Sequence, residues 1–461
     1  MTNARSTLSR VFAAQKGAIA AGHPLTAEAG AGVLAAGGNA VDALVAAALA
    51  AFVTEGPLTG PTGGGFLLVH VGGETTMLDC FFAVPSVRLG AMEEVVIDFA
   101  DASTQTFHIG EGSVAVPGVL HGLAETAARF GSRPWPELVE PALALARVGV
   151  EPTAQQAFLH EILIPILQRT EAGRAVYGDA ARVDTSGLVP TLKAIRDRGA
   201  AVAAELLPEF AADLAVYVPR ELEPRRTRFR DAEVLTVPSP SKGGAIVAEI
   251  LQLLDPADHA GLLAIAAAIG RAHAGPVAPI RMTGTTHISV VDAAGNAAAL
   301  SSTLGSGSGV FRGGSQLNNM LGELDVIGEV ERAPGERLPS MMTPTLVLAD
   351  DRPRLVLGSA GSVRLAGAIA QVAYRVVGTG EAVAAAIASP RVHVEGGVAH
   401  VEGGWADAEV EELGRTSAVD VVRWGGRNLF FGGVSAVEVR HDGSLAAAGD
   451  PRRGGHGVLV A

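Results

Sequence analysis

Two threonines at either end of residues 284–303 could carry nucleophilic chemistry. Thr286 to Val291 is rich in β-branched residues, Asp292 to Asn296 is a cluster of turn formers, and Ala297 to Thr303 resumes an extended pattern. The stretch therefore reads as a β-hairpin. With the turn centred on Ala294, Thr285 falls opposite Thr303, which would bring their Cβ atoms to about 4.5–5.5 Å and let the two hydroxyls share a hydrogen bond. A lone threonine hydroxyl is a poor nucleophile and needs such a partner or a base. A second element bears on the same chemistry. The buried strand Leu355-Val356-Leu357 breaks at Gly358-Ser359-Ala360-Gly361-Ser362, and Leu365 to Tyr374 continues as a helix. Backbone N–H groups at a glycine-bearing helix start can receive the negative charge of a tetrahedral intermediate. On pattern alone, a common buried hairpin and a plain helix N-terminus remain the alternatives.

The residues themselves narrow the choice. Gly284-Thr285-Thr286-His287-Ile288-Ser289-Val290-Val291-Asp292 with Gly295-Asn296-Ala297 resembles the processing site of the gamma-glutamyltranspeptidase family of N-terminal nucleophile hydrolases. Further landmarks follow in the family's order: His23-Pro24, Gly37 to Ala43, Met77 to Cys80 with Val84-Pro85, Ala115 to Val119, Pro238 to Gly244, Leu317 to Glu323, Arg337 to Thr345, and Asp450 to Arg453. The resemblance implies self-cleavage between Gly284 and Thr285. The threonine hydroxyl attacks the preceding carbonyl, an ester forms, and water frees a chain that begins with Thr285. Its α-amine, with an ordinary pKa of about 7.7–8.0, then serves as base for the hydroxyl on the same residue. The resemblance also assigns Thr303 to orient that hydroxyl and Gly361 and Ser362 to hold the oxyanion. It divides the chain into a large segment, 1–284, and a small catalytic segment, 285–461, which pair within one α+β fold, a four-layer αββα sandwich.

Substrate-binding positions are carried over the same way, with departures. Phe81 stands where the family has an arginine that clamps a carboxylate, a task for a guanidinium fork and not for a phenyl ring. Glu323 replaces an aspartate that binds an α-ammonium, and Met320 replaces a polar neighbour. Ser340 keeps one of two paired serines, and Met341 takes the place of the other. The expected activity is cleavage of gamma-glutamyl amides such as glutathione through an acyl-enzyme on Thr285. One alternative keeps the mechanism and changes the acyl group, as in cephalosporin acylases. A third reading is an unprocessed, non-catalytic binding protein.

Composition sets the frame for these residues. The chain has 461 residues, of which 48% are hydrophobic and 18% charged, enough for a large core, and aromatics at 4% leave alanine, valine and leucine to fill it. A formal net charge of −13 argues against nucleic-acid binding. The single cysteine, Cys80, excludes an internal disulfide framework. Met1 to Gly17 lacks a signal-peptide h-region, and Val41 to Val53 is too short to span a bilayer, so a cytoplasmic protein without membrane association is expected. His287, His393 and His456 are not at metal spacing, and neither a metal nor an organic cofactor is expected. Asn39 should cap a helix from Ala40 to Val53. Gly60 to Gly65 leads into a strand and reads as a tight glycine turn, not a phosphate loop. Gln155 to Arg230 reads as helical, charged and without chemistry. Ser241 and Lys242, being adjacent, point apart and form no dyad, and their loop is expected to line the site.

Overall fold

Alternation along the hairpin decides the layering. On the strand Gly284–Asp292, Ile288 and Val290 face a core shared with helices, while His287, Ser289 and Val291 face the opposite way, where the Ser289 hydroxyl reaches the Ser435 carbonyl of another sheet at 3.2 Å. A strand buried on both faces needs cover on both, and the chain supplies it. The computed structural model describes residues 15–98, 104–179, 182–255, 258–273, 284–328 and 331–461.

The hairpin lies in the middle of an antiparallel seven-stranded sheet. Its spatial order is His456–Val460, Gly17–Ala21, Gly284–Asp292, Ala297–Gly305, Gly64–Val71, Glu74–Cys80 and Arg220–Leu222. A six-stranded antiparallel sheet faces it, in the order Leu445–Gly449, Gly433–Val439, Arg352–Ala360, Thr345–Ala349, Ala232–Thr236 and Arg225–Phe229. Helices Pro24–Ala35 and Ala40–Thr54 pack on the first sheet's outer face, with Trp135–Val148 against Ala40–Thr54, and Gly243–Leu254 and Leu365–Ala373 pack on the second's, with Leu262–Ala272 against Gly243–Leu254. This is the expected four-layer αββα sandwich. Strands from before and after Gly284 alternate within the first sheet, so neither segment holds that sheet alone.

Helix Ala40–Thr54 is buried along its whole length, which its many alanines permit by allowing close approach on every side. Asn39 caps it in a capping box with Asp42, satisfying N–H groups that the buried end could not expose to water. The glycine turn also has a steric reason, since a Cβ on Gly65 would lie 2.3 Å from the Ser301 carbonyl oxygen on the neighbouring strand.

Two expectations are corrected. The stretch 155–230 is helical only in part, and its end forms the strands Arg220–Leu222 and Arg225–Phe229. There Thr227 and Phe229 point inward between exposed arginines, a period of two that places charge on a sheet edge. The strand expected to break at Gly358 runs on to Ala360, and the break falls at Gly361, whose φ of +133° ends the ladder. No described helix is long and apolar enough to cross a membrane. The reading of the N-terminus as free of a signal peptide falls mainly on residues 1–14, outside the described residues.

Candidate active site

The turn sits where its residues placed it. Asp292 accepts the N–H groups of Ala294 and Asn296 at 2.9 and 3.0 Å, and its second oxygen accepts the Ala40 N–H at 3.0 Å, tying the turn to the helix cap. The register pairs Ala297 with Val291 through to Ser302 with Thr286, as a turn centred on Ala294 requires. Beyond Ser302 it slips, and Gly305 pairs with Gly284. Gly305 takes the bulge at φ +70°, a conformation glycine adopts readily, while the Leu304 N–H turns to the Leu58 carbonyl at 2.9 Å. This corrects the square opposition expected of Thr285 and Thr303. The Thr303 hydroxyl instead donates to the carbonyl oxygen of Gly284 and accepts the Gly305 N–H at 2.8 Å. The bulge has moved the second hydroxyl from the nucleophile to the carbonyl that the nucleophile would attack.

Thr285 and Thr303, 3% and 5% exposed, line one cavity of about 30 Å³. Phe81, Met320, Met341, Met342 and Leu365 form its apolar wall, and Glu323, Ser340 and Ser362 bring the polar groups. The structure thus gathers the predicted side chains at one place, and Gly361, which precedes Ser362 in the chain, stands outside the cavity lining. Gly361 precedes a short 3₁₀ turn that Ser362 opens, so the Ser362 N–H has no acceptor within that turn. Ser362 holds φ +56°, where a non-glycine residue is strained.

The neighbours of each wall residue explain its placement. The Phe81 ring stacks on Phe66 with centroids 5.4 Å apart, and its N–H is held by Asp79 at 2.8 Å. Asp79 pairs with buried Arg337 at 3.5 Å, and that guanidinium lies over the Tyr217 ring, outside the cavity wall. Among the described residues lining the cavity, none is cationic. Glu323 accepts both the N–H and the hydroxyl of Ser306, at 2.9 and 2.8 Å, anchoring the strap that follows the bulge. The Ser340 hydroxyl oxygen accepts the Met342 N–H at 3.0 Å. The Pro238–Gly244 loop, expected to line the site, braces it from behind: buried Ser241 donates to the Met342 carbonyl at 2.7 Å and Lys242 points to solvent.

Two buried groups near Thr285 have roles that the sequence did not indicate. His287 bonds Ser301 and Ser289 through its two ring nitrogens, each at 2.9 Å, and burial lowers its pKa to about 3, so it stays neutral. Gly358 of the facing sheet passes over this ring so closely that a Cβ would lie 2.3 Å from it. Glu55 follows the apolar helix and accepts the hydroxyls of Thr286 at 2.6 Å and Thr26 at 2.9 Å. Burial raises its pKa to about 7, opposed by those two hydrogen bonds. It lines a second cavity that also reaches Thr285, together with Gln155, Asp450, Arg452 and Arg453. An acid just beyond the apolar run Ala43 to Val53 was the available signal, because buried acids are rare unless paired. Gln155 lies in the stretch read as lacking chemistry.

Comparison with known proteins agrees with this geometry. The gamma-glutamyltranspeptidase family profile matches residues 26–196 and 264–460. The chain is 28% identical to the glutathione hydrolase proenzyme of Pseudomonas aeruginosa, over 98% of this chain and 96% of that one. It is 27% identical to the acylase ACY 1 proenzyme of Pseudomonas sp. strain SE83, over 96% and 94%. The fold matches the crystal structure of cephalosporin acylase from Bacillus halodurans with a TM-score of 0.81 at 21% identity, covering 96% of each chain. The hairpin, the sandwich that buries it and the extent of these matches together place the chain in the gamma-glutamyltranspeptidase family of N-terminal nucleophile hydrolases.

Proposed function

We propose that the protein is a self-processing threonine amidohydrolase or acyltransferase whose acyl donor lacks the free carboxylate of a glutamyl group. The observation that carries the mechanism is the donation of the Thr303 hydroxyl to the Gly284 carbonyl, next to Thr285. Attack by the Thr285 oxygen on that carbonyl carbon places negative charge on the oxygen that Thr303 already faces, where a preorganised donor stabilises it best. The C–N bond then breaks toward the Thr285 nitrogen, which gains the proton given up by the hydroxyl, leaving an ester on the side-chain oxygen. Water adds to the ester carbon and the ester bond breaks, giving a Gly284 carboxylate and a chain with a free Thr285 amine and hydroxyl. The strands of the two products alternate in one sheet, which supports their remaining paired.

In turnover the α-amine takes the hydroxyl proton as the oxygen attacks the substrate amide and returns it to the leaving amine. The N–H groups of Gly361 and Ser362 supply the oxyanion donors, and water or an amine resolves the acyl-enzyme. While the chain is continuous, a cavity of about 30 Å³ has room for about one water and not for an acyl group. Departure of Gly284 would open it.

The substrate reading rests on Phe81. A stacked ring, with Arg337 committed to Asp79, leaves no cation among the described residues of this cavity's wall for a glutamyl carboxylate, whereas Met320, Met341 and Met342 form an adaptable apolar wall. Gamma-glutamyl transfer or glutathione hydrolysis is the second reading, supported by the Glu323 carboxylate in the wall, a group suited to an ammonium. Intact mass of wild type beside Thr285→Ala tests the mechanism. Two fragments meeting at Gly284 and Thr285 are expected for wild type and one whole chain for the variant. A wild type that stays whole favours the non-catalytic reading. Comparing gamma-glutamyl with apolar-acyl anilides decides the substrate class, with faster hydrolysis of the apolar compounds expected.

A further inference from the structure

The turn at the end of helix Ala40–Thr54 grips the hairpin on both sides of its bulge. Glu55 accepts the Thr286 hydroxyl at 2.6 Å, the Leu58 carbonyl accepts the Leu304 N–H at 2.9 Å, and the Thr59 and Ser302 hydroxyls meet at 2.7 Å. The Pro57 carbonyl oxygen lies 3.0 Å from where a Cβ on Gly284 would stand. These contacts enclose the residues between which the register slips, and Thr285 is one of them. We propose that Glu55 is a positioning residue for self-cleavage: by holding the Thr286 side chain it fixes the start of the nucleophile strand so that the Thr285 hydroxyl meets the Gly284 carbonyl. The proposal rests on the self-processing reading above and adds to it a residue from outside the hairpin.

The geometry gives this bond a directional character. Thr285 and Thr286 point to opposite faces of the strand, so Glu55 restrains the backbone from the face away from the nucleophile's hydroxyl. Its other oxygen is held by Thr26, which in turn bonds Thr54 at 2.7 Å, so the carboxylate is anchored on its own side as well. Space is kept for it by Gly22, where a Cβ would lie 2.4 Å from a Glu55 oxygen and 2.8 Å from the Thr286 hydroxyl. A turn needing only to fill space would carry an apolar residue, because burying a carboxyl is unfavourable unless its hydrogen bonds do something an apolar group cannot.

The test follows cleavage of the full-length chain in time after cell-free synthesis, reading the fragment that begins at Thr285 by intact mass. Thr286→Val keeps the shape and removes the hydroxyl, Thr286→Ser keeps the hydroxyl, and Glu55→Gln removes one acceptor. Each change is repeated on Thr285→Ala chains, which stay uncut, so that melting temperatures are compared in one covalent state. Misplacing a nucleophile by about 1 Å can cost on the order of 100-fold. Thr286→Val and Glu55→Gln are expected to slow cleavage by about tenfold or more at temperatures well below melting. Thr286→Ser should stay within about twofold of wild type, and the double variant should be no slower than the slower single. Wild-type rates in Thr286→Val or Glu55→Gln overturn the proposal, as does a Thr286→Ser chain as slow as Thr286→Val, or losses that simply add. If the wild type itself stays whole, the self-processing reading fails and this proposal falls with it.

Discussion

The two cavities that meet at Thr285 are of similar size, are both lined largely by apolar groups, and differ in the charges they carry. One is walled by Phe81, three methionines and Leu365, with Glu323 as its only charged group. The other carries Glu55, Asp450, Arg452 and Arg453. On the apolar side the polar groups are few: Thr285, Thr303, Glu323, Ser340 and Ser362. On the charged side Arg452 bonds Glu402 at 2.5 Å and Asp450 at 3.2 Å, Glu55 bonds two threonines, and Arg453 donates to the Leu429 carbonyl at 3.2 Å. A group whose partners are satisfied holds geometry, and a wall with little to satisfy accepts a ligand. The contrast is between a side held by its own polar partners and a side with few polar groups, and both meet at Thr285.

The largest effect that would break this picture is on the carbonyl donor. Thr303→Val should slow self-cleavage by about 100- to 1000-fold, the usual cost of one oxyanion donor, with the uncut chain folded as judged by circular dichroism. Cleavage at an undiminished rate would mean that the Gly284 carbonyl is polarised by something else.

Next in size is the acid on the charged side. The Glu55 folded-state pKa of about 7 stands above an unfolded value of about 4.3, so the folded chain binds this proton more tightly. The stabilisation is fully present below the unfolded pKa and is lost as pH rises through about 7. The stability of Glu55→Gln relative to the parent, both carrying Thr285→Ala, should then rise between about pH 4 and 8 by on the order of 3 kcal/mol. His23, His287, Asp450, Arg452 and Arg453 stand near the same cavity in both proteins, so their titrations largely cancel in that difference. Denaturant melts across this range check it, and a flat difference would show that the carboxyl is not held in a dry site.

The smallest expected change sharpens the recognition side. Met341→Ser adds a hydroxyl to the apolar wall and should raise kcat/KM for a gamma-glutamyl anilide relative to an apolar-acyl anilide by about two- to tenfold, the range of one net hydrogen bond. An unchanged ratio would detach substrate choice from the polarity of this wall.

What could be read directly from the chain was local. Asp292 to Asn296 announced the turn, and the alternation on either side of it set the register as far as Ser302 and Thr286. Asn39 announced the helix cap, and the structure added Asp42 to it as a capping box. The slip beyond Ser302 was not legible, because it depends on the Leu58 carbonyl drawing off the Leu304 N–H across a contact between distant parts of the chain. Arg225 to Phe229 falls in the stretch read as helical and charged, and only the sheet it joins reveals the period of two.

The amino-acid order by itself determined the hairpin, through alternation and turn chemistry, and its motifs, through their resemblance to a known family, pointed to the layered fold and to the residue types around Thr285. Tertiary structure alone decided that the Thr303 hydroxyl rests on the Gly284 carbonyl, that Ser362 is held at positive φ, and that Glu55 is a buried acid beneath Thr286. The physical reason is range. Periodicity and turn preference act over a few neighbouring residues, whereas burial, register slips and the partners of a carboxylate are fixed by whatever the fold brings against them.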